Sequence, residues 1–391
     1  MPHILLKKHQ DIDPCEINDQ IDSKFNFLAT SQYDQKIGVV LNNKEFLLTK
    51  VIKNGDSLIK LDIPTRLTPV SIMKKALNDY AFAVDEEPIF SNTHSIYNKV
   101  EPEQSYLKTI TYFIDDFQTD KDIFIEVGFG SGKHLLHQAI SNPDKIIIGL
   151  EIHTPSIEQV LKQAKLQNIT NILIINYDAR LFLEFLKSNS VSKIFVHFPV
   201  PWDKKPHRRV MSIPFIEESL RVLKIDGTLE LRTDSPNYYE YNLELLENFK
   251  EYPTSIDENK DLEVVSKYEA RWKKQQKTIW DITYRSIKNS PPLNIEGDFN
   301  FDDNYDIDYI KQNLKTAAFK GDDFIVHLET IYDVKFCDND GLLIKVTLGS
   351  FNRPTTKYII IQNNKARYFQ YDPIKTKTNL KAHQYIKKSL K

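Results

Sequence analysis

The sequence has little of what usually announces a metal site, a membrane span or a polyanion-binding surface. Its 391 residues hold two cysteines, Cys15 and Cys337, far apart in the chain. They form neither the close pairs of a metal site nor a disulfide framework, so no metal is expected and a reducing cytoplasm fits. No apolar run approaches the ~20 residues of a membrane helix. The opening Met1–His9 has too short an apolar stretch for a secretory signal. Lysine and arginine total 52 against 54 acids, a net charge of -2. Overall charge therefore gives no sign of nucleic-acid binding, and any such role rests on local clusters. Repeats and low-complexity tracts are also missing. What remains, 41% hydrophobic and 27% charged, describes an ordinary globular protein of two or three domains.

The most informative stretch runs from Asp122 to His134. Ile123, Phe124, Ile125 and Val127 predict a buried parallel strand that carries Glu126 near its end. Gly128, Gly130 and Gly132 follow at alternate positions, and a helical pattern then begins with Leu135, Leu136, Ala139 and Ile140. Strand, glycine turn and helix start together make a nucleotide site, where backbone approaches ligand and free amides point at it. Two familiar versions are excluded. A phosphate-cradling loop needs Ser or Thr after Gly132-Lys133, and His134 stands there. A dinucleotide fingerprint needs a different glycine spacing. An acid two residues before the first glycine suits a ligand with a cationic amine, as S-adenosyl-L-methionine (SAM) has. Glu151 ends the next apolar strand, Ile146–Leu150, where an acid binds ribose hydroxyls in doubly wound folds.

Residues 120 to about 288 alternate strands and helices, which predicts a parallel sheet with helices on both faces. Thr154-Pro155 opens a helix. Ile172–Ile175 is a third strand, and Asp178 follows it; spacing alone leaves Asp178 either a helix cap or a ligand-edge acid. Lys193–His197 is a fourth strand leading into Phe198–Val210, a loop stiffened by three prolines. This loop carries Trp202, Asp203, Lys204, Lys205, Arg208 and Arg209. Cations interleaved with an aromatic beside a nucleoside pocket suit a phosphate backbone and a stacked base. Asp234 follows the fifth strand, Thr228–Arg232, with the N-cap of the next helix as its alternative role. Ser266-Lys267-Tyr268-Glu269 precedes a strand over Ile279–Tyr284.

The flanks read as separate bodies. Residues 1–103 predict a β-rich domain, with a hairpin turning at Asn42-Asn43 and a helix over Ser71–Tyr80; RNA or protein contact is its expected role. An amphipathic helix over Gln104–Phe117 opens the central domain, 104–288. Residues 293–391 predict a small α+β domain with a helix over Tyr309–Phe319. Within it, Glu296–Asp340 holds twelve acids against four lysines, and Thr355–Lys391 holds nine cations against one acid. The cationic tail fits RNA phosphates or the domain's own acidic half equally well.

On Phe198-Pro-Val-Pro-Trp-Asp-Lys-Lys-Pro-His-Arg and Ser266-Lys-Tyr-Glu, the middle of the chain resembles the bacterial tRNA (guanine-N7)-methyltransferase family. The resemblance implies a Rossmann-like class I methyltransferase sheet and methylation of guanine 46 in the tRNA variable loop. It implies that Glu126, Gly128, Gly130, Gly132, Glu151 and Asp178 hold SAM. It implies that Lys204, Lys205, Arg208, Asp234, Ser266, Lys267 and Glu269 hold the substrate. Val200 stands where the family has an active-site aspartate, which leaves Asp234 and Glu269 as the catalytic acids and Asp203 as a weaker substitute. Guanine N7 has a free in-plane lone pair and needs no strong base, so alignment and stabilisation of the cationic product make up the chemistry. Trp202, Tyr238 and Tyr239 are the candidate stacking surfaces.

Overall fold

In the computed structural model, which describes residues 2–16, 19–93, 102–261, 277–351 and 353–391, the chain divides into two units. One comprises Lys99–Asn294. The other combines Met1–Asn98 with Ile295–Lys391.

The combined unit departs from the expectation of independent N- and C-terminal domains. Its first part contributes β1 (His3–Leu6), β2 (Lys24–Thr30), β3 (Gln35–Leu41), β4 (Lys44–Lys53), β5 (Asp56–Leu61), α1 (Val70–Ala83) and β6 (Phe90–Ser91). Asn42 and Asn43 both take positive φ, as a two-residue turn between twisted strands requires. The last part of the chain supplies α7 and β15–β19, after the elements of the other unit. These are α7 (Ile307–Asn313), β15 (Ala318–Lys320), β16 (Phe324–Lys335), β17 (Asp340–Ser350), β18 (Thr355–Gln362) and β19 (Lys365–Tyr368), and α8 (Lys377–Ser389) closes the chain. The two parts share one eleven-stranded sheet because β16 pairs antiparallel with β2, Val334 opposite Ala29. The edge each half would expose is closed by the other.

Buried polar groups cross the join. Asp62 accepts from Lys36 Nζ at 3.0 Å and from Tyr358 Oη at 2.9 Å, and its other oxygen accepts from Thr65. Cys15 and Cys337, remote in sequence, meet here: the Cys15 thiol donates to the Cys337 carbonyl at 3.4 Å. Part of the cationic tail is spent on its own unit. Lys387 and Lys391 pair with Asp302, and Lys381 pairs with Asp323. The helix expected over Tyr309–Phe319 stops at Asn313, and Ala318–Lys320 pairs instead with β16.

Among the described residues, the Lys99–Asn294 unit is built on eight strands of one sheet. In order these are β7 (Leu107–Lys108), β8 (Ile123–Val127), β9 (Ile146–Leu150), β10 (Ile172–Ile175), β11 (Val191–His197), β12 (Leu223–Thr233), β13 (Thr254–Glu258) and β14 (Trp280–Arg285). Their spatial order is β13-β14-β12-β11-β8-β9-β10-β7, with β14 antiparallel to both of its neighbours. This is the class I methyltransferase arrangement. Between the strands lie α2 (Lys133–Ser141), α3 (Thr154–Leu166), α4 (Ala179–Phe182), α5 (Ile213–Val222) and α6 (Pro236–Leu246). Every residue of β8 is buried, as a central strand covered on both faces demands. The helix expected over Gln104–Phe117 is replaced by a single 3-10 turn, the two-residue β7 and a short π turn, because Leu107 and Lys108 extend the sheet beside Ile174 and Ile175. No described helix is long and apolar enough to cross a membrane.

Removing Asp62 leaves Lys36 with Asp34 and Thr49, both at 2.9 Å, but strips the buried Tyr358 and Thr65 hydroxyls of their acceptor. Asp62→Ala is expected to lower the stability of the combined unit by about 2 kcal/mol, measured by denaturant unfolding. A loss below about 1 kcal/mol, the worth of one ordinary hydrogen bond, would show that the network does not couple the two halves.

Candidate functional site

The parallel register levels the strand ends. Glu126 lies opposite Phe195 of β11 and Gly149 of β9, and Val127 lies opposite Leu150. Ladder bonds continue one step beyond the strands: Gly128 N–H donates to Leu150 at 2.8 Å, Glu151 N–H to Ile175 at 3.2 Å, and Phe198 N–H to Arg232 at 2.7 Å. The loops after five strands therefore leave from one edge.

The glycine turn is rigid and open. Gly128, Gly130 and Gly132 have φ of +68°, +52° and +71°. A Cβ on Gly128 would meet nothing within 4 Å, so the space above the turn is free for a ligand. At Gly132 a Cβ would lie 2.1 Å from Val160 Cγ2. That glycine is fixed by helix packing as well as by its left-handed backbone. Glu151 braces the turn: Oε2 accepts from Gly130 N–H at 3.0 Å, while Oε1 accepts from the Ile152 and His153 amides at 2.8 and 2.9 Å. Three of about four carboxylate acceptor positions are filled, which leaves one for a hydroxyl. Glu126 is 4% exposed, and its Oε2 lies 2.9 Å from His134 Nδ1 in the second position of α2. Among the described residues no donor reaches its Oε1. An open glycine cradle flanked by an acid for an amine and an acid for a ribose fits SAM.

Asp178 resolves toward the cap. Its Oδ1 accepts from Arg180 N–H at 2.9 Å, and both oxygens engage the Arg180 guanidinium. Asp234 is not the helix cap: Ser235 caps α6, and Asp234 Oδ2 holds Lys277 Nζ at 2.9 Å.

The loop after β11 is held by its backbone. Phe198 and Trp202 take φ of +50° and +47° without being glycine, a costly conformation that marks functional segments. Lys205 N–H donates to the Trp202 carbonyl, and Arg209 Nε donates to Pro201, both at 2.8 Å. Arg209 also lies 4.3 Å over the Tyr241 ring and pairs with Asp203. Lys204, Lys205 and Arg208 remain exposed, with Arg208 5.1 Å over the Trp202 ring. Val200 is 59% exposed. Of the three stacking candidates, Trp202 faces solvent and Tyr239 stacks on Trp280 at 4.9 Å. Tyr238 is wholly buried with its hydroxyl accepting from Met211, so its expected role is withdrawn. Ser266, Lys267 and Glu269 lie outside the described residues.

Two polar groups escaped the sequence reading. Arg232, fully buried, holds Asp281 through Nη1 at 2.6 and 2.7 Å and the Lys260 carbonyl through Nη2. His134 packs 4.4 Å from His197 and 4.8 Å from Phe195. Lost hydration opposes charge on His134, but the charge and hydrogen bond of Glu126 outweigh it and hold its pKa above the ordinary value. Burial, His134 and Arg232 push His197 well below it. A sign of Arg232 was present in Leu229-Glu-Leu-Arg232, whose alternation puts two charges on one face of an expected central strand. Among the described residues no group of three or more His, Cys, Asp or Glu is placed to hold a metal.

Gly132→Ala forces both a left-handed alanine and a clash with Val160. It is expected to cost at least about 2 kcal/mol and to abolish SAM binding. Calorimetric titration giving unchanged affinity would contradict this account of the turn.

A family described as a putative methyltransferase matches residues 120–282. Likeness to named relatives extends much further. The tRNA (guanine-N(7)-)-methyltransferase of Wolinella succinogenes is 39% identical over 94% of each chain. That of Campylobacter jejuni is 38% identical over 100% of this chain and 99% of its own. That of Helicobacter hepaticus is 36% identical over 99% and 98%. The flanking segments are thus shared with these relatives along with the central unit. By identity over its whole length, this chain belongs to the tRNA (guanine-N(7)-)-methyltransferase family.

Proposed function

We propose that this chain transfers a methyl group from SAM to N7 of a guanine in tRNA, with position 46 of the variable loop as the target. The observation that carries the proposal is the near-complete match to tRNA (guanine-N(7)-)-methyltransferases, from a chain that keeps acids at the ends of β8 and β9 and a cationic loop after β11.

When bound, SAM supplies an electrophilic methyl group on a sulfonium. Glu126 and Glu151 would hold its ammonium and ribose, and the turn at Gly128 leaves room for it. Lys204, Lys205 and Arg208 would neutralise backbone phosphates, and Trp202 offers a face for a base turned out of its stack. Asp234 is steadied by Lys277 through Oδ2, which leaves Oδ1 to accept from the guanine N1 and N2 donors and to stabilise charge growing on the purine. Glu269, with Ser266 and Lys267, completes the substrate site on this reading. Asp203 is a poorer substitute for the aspartate missing at Val200, since it already pairs with Arg209. The exposed Val200 favours one alternative, a SAM- and RNA-binding protein with impaired catalysis.

Incubation with labelled SAM and bulk tRNA lacking the modification, followed by nucleoside analysis, is expected to yield N7-methylguanosine. Label absent from that nucleoside would favour the impaired alternative. Asp234→Ala should lower the turnover rate by about 10²-fold or more while SAM binding persists. Replacing Lys204, Lys205 and Arg208 together by alanine should weaken tRNA binding and reduce the slope of log affinity against log salt by roughly 0.7–0.9 per lost phosphate contact. An unchanged slope would remove this loop from the RNA interface.

A further inference from the structure

We propose that His134 is a positioning residue that competes with the ammonium group of the methyl donor for the Glu126 carboxylate, so that SAM binding expels a proton from His134. The inference rests on reading Glu126 as the acceptor of that ammonium.

Glu126 is a buried carboxylate whose partner among the described residues is His134, through Oε2. A buried carboxylate left unpaired is strongly destabilising, so an imidazolium beside it serves the donor-free protein. The ring is held from every side. Phe195 meets its edge, His197 lies against it, and its Nε2 is 3.1 Å from the Gln138 amide one turn further along α2. A primary amide both donates and accepts, so Gln138 serves the charged ring and, turned over, the neutral ring. The site is therefore built to keep this imidazole in place through a change of protonation.

The charges facing His134 come from four strands and the Lys260 loop. Glu126 of β8 and Glu230 of β12 favour its charge, while Arg232 of β12 opposes it. Lys193 and His197 of β11, with Lys260 and Asp281, line the same cavity of about 210 Å³. Arg232 is balanced by Asp281, and Lys193 pairs with Glu230 at 3.6 Å. His197 is held neutral by burial and by its two cationic neighbours. One imidazole of this tilted pair is thus set to carry charge, and the polar cavity beside it opens a route to water for the departing proton.

The sign follows from the competition. Glu126 holds the His134 pKa above about 6.5. An ammonium arriving at the same carboxylate adds a second cation and withdraws part of that support, so the His134 pKa falls on binding. SAM affinity then rises as pH climbs from about 6.5 through the raised pKa, by at most tenfold per pH unit for one linked proton.

The test is isothermal titration of the full chain with SAM at pH 7 in two buffers of different ionisation enthalpy, beside affinity profiles over pH 6–8. The donor's own α-amine titrates at about 8 and contributes equally to wild type and variant. The wild type is expected to release a fraction of a proton and to bind several-fold more tightly at pH 8 than at pH 6. His134→Asn keeps a neutral donor near the Nδ1 position, and should release none and show a flatter profile. Titration of the His134 ring by NMR, with and without SAM, should show its pKa falling on binding; this and the wild-type proton count need no variant, so a misfolded variant leaves the test standing. Tight SAM binding without proton release and with an unmoved His134 pKa would overturn this proposal alone. Failure of the wild type to bind SAM would overturn the donor-site reading and this proposal with it.

Discussion

The register of the parallel strands is the constraint on which the rest of the methyltransferase unit depends. Phe195 against Glu126, and Val127 against Leu150, bring three strand ends to one level. His197 against Arg232 extends that level to a fourth. Because side chains alternate, a slip of one residue would turn Glu126 to the opposite face and separate it from His134. The bonds from Gly128, Glu151 and Phe198 to neighbouring strand ends carry the ladder into the loops. The site is thus an extension of sheet geometry, and its precision comes from a rigid scaffold.

That dependence explains what was legible in the sequence. The strands 123–127, 146–150 and 172–175 were readable because short apolar runs end in glycine, acid or polar turns. Glu126 and Glu151 were readable as edge residues for the same reason. The segment 104–117 misled because its apolar spacing is helical, while the chance to pair Leu107 and Lys108 with β10 decided its conformation. Tertiary pairing overrode local pattern. His134 and the Arg232–Asp281 pair were invisible as partners because each joins elements whose adjacency no local period encodes.

The other unit is the stronger case of the same rule. Its hairpins were signalled by asparagine turns, yet nothing local says that β2 and β16, some 300 residues apart, share an edge. The methyltransferase unit lies in the chain between two parts of one sheet. Sequence order therefore suggested three bodies where two exist. The acidic and basic segments, which sequence alone left open to mutual pairing or to RNA contact, supply opposite ends of the same ion pairs, Asp302 with Lys387 and Lys391 among them.

The departure at Val200 is best understood through what holds its loop. The shape of residues 198–209 is set by Phe198 N–H on Arg232, Lys205 N–H on Trp202 and Arg209 on Pro201. None of these bonds uses the side chain at position 200, which points largely into solvent. A valine there changes charge at a fixed place without changing the frame. Methylation at a nitrogen lone pair asks no proton of that position, only orientation and compensation of positive charge. On the function proposed above, those duties pass to acids delivered by the neighbouring strand end. Asp234 is suited to them because Ser235, one residue on, has taken over the capping of α6 and left its carboxylate unspent on the helix.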